Sequence, residues 1–169
     1  MEYLVVDGYN IINSWTDIFY PDKEPLEDCR VKLLNILSNY QGYRKIKVIV
    51  VFDAHFVKGS REKQEVHDNI TIIYTKENES ADNYIERFVY RFSSDNVIRV
   101  ATSDYLEQTV VLNIGGIRMS ARELREEIGR TVKSIDGRIK KNIHNSNTIM
   151  SNIKPELAEI LEKMRKDKF

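Results

Sequence analysis

A repeated junction limits what this chain can fold into: an apolar, β-branched run that stops at an aspartate. Leu4-Val5-Val6 runs into Asp7 and Gly8, and Val48-Ile49-Val50-Val51-Phe52 runs into Asp53. Runs that are apolar at every position, not at alternate ones, suit strands buried on both faces inside a parallel sheet. Gly8 takes a turn after the first without steric cost. Ile70-Thr71-Ile72-Ile73-Tyr74 and Val97-Ile98-Arg99-Val100-Ala101 read as further strands, and the last is followed by Asp104.

Helical spacing fills the intervals. Leu33, Leu34, Leu37 and Tyr40 or Gln41 recur between about Leu26 and Gln41, with Gly42 as the stop. Tyr84, Ile85, Phe88, Val89 and Phe92 share a face behind a Ser80 N-cap, which puts Asp82 in the first turn. Ser103 caps a helix through Leu106, Val110 and Val111. Strands alternating with helices predict an α/β fold: three layers around a mostly parallel sheet with right-handed crossovers. Ser14 to Pro25 reads as a surface loop anchored by Trp15, Phe19 and Tyr20, and Ala54 to Asp68 as a mobile loop. After Gly115-Gly116 comes a short edge strand, Ile117 to Met119, and then Ser120-Ala121-Arg122-Glu123, a capping box opening a helix to about Lys141. Residues 1–141 thus form the main domain, while 142–169 form a polar linker and a C-terminal helix begun by Pro155.

A lone cysteine, Cys29, rules out an internal disulfide and reads as a packing residue. The most apolar run, Val48 to Phe52, is too short to span a bilayer and the acidic start is no signal peptide, so a soluble cytoplasmic protein is expected. Net charge is zero, which argues against a general nucleic-acid coat. The distribution is uneven: residues 1–109 hold 13 Lys/Arg against 18 Asp/Glu, and residues 110–169 hold 13 against 8. An acidic site with a basic flank gives that split, and so does a solvated basic helix.

Asp7, Asp53, Asp82 and Asp104 each fall where a strand ends or the next helix begins, and in one parallel sheet those points share an edge. Gathered carboxylates repel and raise one another's pKa, so such a cluster calls for a cation. Mg²⁺ or Mn²⁺ suits oxygen ligands, and the implied chemistry is metal-assisted phosphodiester hydrolysis. Singly, each acid has a plainer reading as a turn former or a helix-start residue. Asn10 reads as a phosphate- or water-positioning group or as a loop cap; Glu107 as an outer metal ligand or a solvated acid. Lys58, Arg61 and Lys63 after Asp53, and Arg130, Lys133, Arg138, Lys140 and Lys141 on the long helix, are the candidate RNA-holding cations. His55, His67 and His144 keep a metal-free acid–base ribonuclease in view. No G-x-G-x-x-G or Walker loop is present, so no small-molecule cofactor is expected.

Taken together, Val6-Asp7-Gly8-Tyr9-Asn10, Val51-Phe52-Asp53-Ala54-His55, Val57-Lys58-Gly59, Thr75-Lys76-Glu77-Asn78-Glu79-Ser80-Ala81-Asp82, Ala101-Thr102-Ser103-Asp104-Tyr105 and Ser120-Ala121-Arg122-Glu123-Leu124 resemble the YacP-like branch of the NYN domain nucleases, in the wider PIN-like superfamily. The resemblance implies a PIN-like α/β/α fold and a Mg²⁺- or Mn²⁺-dependent endoribonuclease that associates with ribosomes and cuts translated mRNA. It makes Asp7, Asp82 and Asp104 the acidic centre and Asn10 the asparagine of the opening motif. Asp53 matches a YacP-like position, and Glu107 is the candidate fourth acid. The alternative is a non-catalytic RNA- or ribosome-binding module of the same fold.

Overall fold

The computed structural model describes residues 1–54, 58–142 and 154–166, with no side-chain detail for 139–142. Six strands, β1 (Glu2–Asp7), β2 (Lys47–Phe52), β3 (Lys63–His67), β4 (Ile70–Tyr74), β5 (Val97–Ala101) and β6 (Ile117–Met119), form one sheet in the order β3-β4-β2-β1-β5-β6. β1, the opening run, lies between β2 and β5 and pairs in parallel with both. All pairings are parallel except that of β3 with β4. The mostly parallel α/β sheet expected from the two aspartate-terminated runs is the one observed.

Side chains alternate across each strand, and the two faces are covered by different helices. Val5, Ile49, Val51, Ile73, Ile98 and Val100 form a core with Ala81, Ile85 and Val89 of α3 (Ala81–Phe92) and Val111 of α4 (Tyr105–Asn113). Each such buried branched chain contributes about 1.5–3 kcal/mol relative to exposure. On the other face α1 (Gly8–Ser14) packs on β2, and α2 (Leu26–Arg44) packs on β2 and β4 through a buried side that includes Cys29, Leu33, Leu37 and Tyr40.

Local chemistry departs from expectation at several points. Gly8 opens no left-handed turn; it begins α1, and a Cβ there would stand 2.3 Å from Phe52 Cε1, so close packing of the ring is what requires glycine. α2 continues through Gly42 to Arg44, and Lys45 takes the left-handed stop at φ 56°. The helix ends three residues late because Lys45 N–H still closes onto Gln41 O. Asp104, not Ser103, caps α4, since its carboxylate accepts from Leu106 N and Glu107 N. The C-terminal third of the stretch expected to be a mobile loop is β3, Lys63–His67, paired antiparallel along β4. Ahead of it, Gly59 N donates to Glu77 Oε2 at 2.7 Å and Glu77 N to Ser60 O at 3.0 Å. Between α1 and α2, Trp15 and Phe19 are buried and Trp15 Nε1 donates to Ala121 O at 2.9 Å.

The chain divides into two compact units, Met1–Ala121 and Arg122–Phe169. The second contains α5 (Ala121–Asn142) from Arg122 onward and α6 (Pro155–Lys166), where Arg165 meets Asp136 at 3.5 Å. Residues 143–153, most of the expected linker, lie outside those described. Among the described residues no helix is long and apolar enough to cross a membrane.

Candidate metal centre

The carboxyl ends of β1, β2, β4 and β5 share one edge, and three elements deliver an acid to it. Asp7 ends β1 and caps α1, accepting from Asn10 N at 3.3 Å. It alternates to the same face as Val5 and so points toward the layer of α3 and α4. Asp82 sits in the first turn of α3 behind the Ser80 cap. Glu107 sits in the first turn of α4, set there by the Asp104 cap.

One ligand oxygen from each of Asp7, Asp82 and Glu107 can be chosen so that all lie within 4.8 Å of one another. The surroundings are dry: Asp7 is 8% exposed and Glu107 3%. Neither Glu107 oxygen has a hydrogen-bond partner of ordinary geometry. Burial pushes Asp7 up to about 7, and Asp82, Asp53 and Asp104 add to the rise, while the Asn10 N–H works against it. Burial likewise pushes Glu107 up to about 8, assisted by Asp82, Asp7 and Asp104 and opposed by the nearby Thr102 side chain. Asp82 is raised by burial and then by Asp104.

An unpartnered buried carboxylate costs several kcal/mol when charged. Three converging carboxylates with two orphan oxygens therefore fit a hard divalent cation, which takes oxygen ligands and cancels the repulsion. The buried cluster can hold such a metal through Asp7, Asp82 and Glu107.

The remaining expected residues lie around this trio. Asp104 is exposed and its Oδ1 accepts from Leu106 N at 2.8 Å and Glu107 N at 3.3 Å, yet its charge is felt by all three acids. Asp53 is half-buried just past β2 and acts on Asp7 and Asp82 electrostatically. Asn10 accepts through Oδ1 from Ser103 N at 2.6 Å and Ser103 Oγ at 2.7 Å, which ties α1 to the turn after β5. A backbone N–H can only donate, so the amide oxygen is the atom that faces it.

Lys63, Lys58 and Arg61 are exposed. Lys63 pairs in register with Tyr74, the carboxyl end of β4, which places it on the site's edge. His67 pairs with Ile70, the amino end of β4, and so belongs to the opposite edge, where Asn35 Oδ1 lies 3.0 Å from its Nε2. His55 and His144 lie outside the described residues. Arg138 is exposed on α5; the side chains of Lys140 and Lys141 are not described. Residue-level reading missed Arg30 of α2, whose guanidinium sits 5.9 Å from the Phe52 ring centre and 6.0 Å from that of Tyr74. A lone arginine on a polar helix turn carries no sequence signal that would have found it.

Comparison with known proteins shows the family and the fold. The YacP-like NYN domain family model matches residues 4–166. The uncharacterized protein YacP of Bacillus subtilis (strain 168) is 42% identical over 142 residues, which cover 83% of each chain. The crystal structure of Rae1 (YacP) from Bacillus subtilis is similar with a TM-score of 0.71 at 38% identity, covering 98% of this chain and 95% of that one. A mutant form of the same protein gives a TM-score of 0.71 at 36% identity over 97% of this chain and 92% of that one.

Proposed function

Because the chain belongs to the YacP-like NYN domain family, a nuclease-type family, we propose that it is an endoribonuclease that hydrolyses RNA phosphodiester bonds with Mg²⁺ or Mn²⁺. The observation that carries the reading is the trio of buried Asp7 and Glu107 and half-buried Asp82 at the carboxyl edge of the sheet, with neither Glu107 oxygen in a hydrogen bond of ordinary geometry. When bound there, a divalent ion lowers the pKa of a water and offsets charge on the attacking and leaving oxygens.

The protein's own groups do the rest. Asp7, Asp82 and Glu107 orient the ligand field from three rigid element ends. Asp104 fixes the first turn of α4, and Asn10 holds the adjoining turn against α1, so the acids keep their relative positions during turnover. Asp53 and Asp104 supply outer negative charge that favours a cation at the centre. Lys58, Arg61 and Lys63 at the same edge, with Arg138, Lys140 and Lys141 of α5, contact the RNA backbone. The family resemblance supports a reading as ribosome-associated cleavage of translated mRNA, an activity that belongs to the cytoplasm.

A metal titration scored by cleavage of labelled RNA, with binding followed in parallel, tests the reading. Asp82→Asn keeps the side chain's size and leaves the Ser80 cap intact, and is expected to cut at least about 100-fold more slowly, at or beyond the upper end of what loss of an outer-shell partner costs. Product ends should be 5′-phosphate and 3′-hydroxyl. RNA binding without metal-dependent cleavage, even with ribosomes supplied, would favour the non-catalytic module. Cyclic phosphate ends would overturn the metal mechanism in favour of attack by the ribose 2′-hydroxyl.

A further inference from the structure

Successive residues of the first turn of α1 fan out to opposite sides of Asp7. Asn10 reaches toward β5, and Tyr9 toward β2, where its ring packs on Phe52 with centroids 5.0 Å apart. Phe52 and Tyr74 are register partners at the carboxyl ends of β2 and β4 and stack at 5.8 Å; Tyr74 and Lys63 are register partners across β4 and β3. Partners in register share a face, so Phe52, Tyr74 and Lys63 form a row along the same edge as the metal centre.

Arg30 of α2 lies over this row. Its guanidinium is within 6.0 Å of the Phe52 and Tyr74 ring centres and its Nη1 donates to Tyr9 Oη at 2.8 Å. Its Nε is buried and has no partner. The side chain keeps 22% exposure, and among the described residues its carboxylate partner is Glu27, an i,i+3 pair on the helix surface with 63% of that glutamate's side chain in water.

That environment is unusual for a merely structural arginine. The aromatic rings and the Tyr9 hydroxyl hold the guanidinium without neutralising it. The opposing charge is an exposed pair of the kind that contributes little and exchanges readily. A planar fork held open in this way presents donors to an incoming phosphate with little ordering left to do.

We propose that Arg30, held by Tyr9, Phe52 and Tyr74, is a subsite for an RNA backbone phosphate on the β2–β4 side of the cleavage centre. An incoming phosphate oxygen displaces the Glu27 carboxylate, and Lys63 at the end of the row extends the positive track. The inference rests on the nuclease reading above and adds to it where the strand lies along the edge.

The test is binding of a labelled single-stranded RNA in EDTA, so that no cutting occurs, followed across a salt series for wild type, Arg30→Gln, Arg30→Lys and Tyr9→Phe. Arg30→Gln is expected to weaken affinity on the order of ten-fold at low salt and to flatten the slope of log affinity against log salt by about 0.7, the value of one single-strand phosphate contact. Arg30→Lys should restore the slope but only part of the affinity, because it keeps the charge and loses the fork. Tyr9→Phe keeps the ring packing and should fall between wild type and Arg30→Gln. A purely structural role would lower thermal stability without moving the slope. Folded Arg30→Gln with wild-type affinity and slope would overturn the subsite while leaving the nuclease reading intact. Wild-type protein that binds no RNA in EDTA would overturn the subsite, and the nuclease reading then stands or falls by metal-dependent cleavage with ribosomes supplied.

Discussion

Replacing Glu107 by glutamine removes a charge that the metal-free fold can scarcely accommodate. Glu107 is 3% exposed, neither of its oxygens has a hydrogen-bond partner of ordinary geometry, and its carboxyl is carried from 4.5 to about 8. At about 1.36 kcal/mol per unit, that rise amounts to roughly 5 kcal/mol against the ionised form. Part of it is repulsion shared with Asp7 and Asp82, and a buried amide whose donors are imperfectly met returns about 1–3 kcal/mol. The expected net gain for Glu107→Gln in EDTA at pH 9 is about 2–3 kcal/mol, a rise in Tm of roughly 4–12 °C for a chain of this size.

The pH dependence carries the sign. Below about pH 3 Asp7 and Glu107 are protonated in both folded and unfolded chains. Between the unfolded values of 3.8 and 4.5 and the folded values of about 7 and 8, the unfolded chain holds fewer protons than the folded one. Stability of the metal-free protein therefore falls as pH rises through that window and stays at the lower level above it. Glu107→Gln should be no more stable than wild type near pH 5, where the folded carboxyl is already neutral, and should exceed it at pH 9, by urea unfolding. Magnesium at one hundred times its Kd should close that gap, since it stabilises the metal-competent wild type by about 2.7 kcal/mol and leaves the variant where it was. Wild-type stability that is flat or rises from pH 5 to 9 in EDTA, or a variant no more stable than wild type at pH 9, would refute the buried-charge argument.

Asp104→Asn should change stability by less than about 0.5 kcal/mol, as asparagine caps a helix as well as aspartate does. It should slow cleavage about ten-fold, less than Asp82→Asn; equal losses would put Asp104 among the ligands. Gly8→Ala forces a Cβ to 2.3 Å from a Phe52 ring already held by Tyr9 and Tyr74, and should cost about 1–3 kcal/mol by urea unfolding, with an unchanged midpoint refuting the packing account. Gln at Lys58, Arg61 and Lys63 together should flatten the salt dependence of RNA binding by up to about 2, against a separate triple variant at Arg138, Lys140 and Lys141. An unchanged slope in the second would make the basic helix a solvated face.

The sheet was readable because its strands are apolar at every position. Leu4, Val5 and Val6 must be buried on both faces, which fixes a central parallel strand and calls for a helix layer on each side. β3 escaped that logic: Lys63-Gln64-Glu65-Val66-His67 is exposed or half-buried throughout, as an antiparallel edge strand can be, so its sequence looks like a loop. Its strand character comes from β4 offering a free edge, a tertiary cause. The end of α2 was misread for a related reason: Gly42 is a local stop signal, but its neighbours continued the helix and a lysine accepted the left-handed conformation.

The acids divide differently, because sequence shows where a carboxylate lies along the chain and not which way it turns. Asp104 stands at a strand-to-helix junction and draws attention there, yet its Oδ1 is engaged by the N–H groups of Leu106 and Glu107. Those bonds set the first turn of α4. A residue three beyond the cap lies nearly one helical turn further on, and fixing the turn fixes its direction. In this fold the direction carries Glu107 inward beside Asp7 and Asp82, to 3% exposure. A solvated glutamate and a buried ligand at that position are spelled alike in the sequence; what separates them is the cap before it and the strand it faces. The aspartate most visible in the sequence thus also sets, through its cap, the direction of the glutamate that the sequence leaves ambiguous.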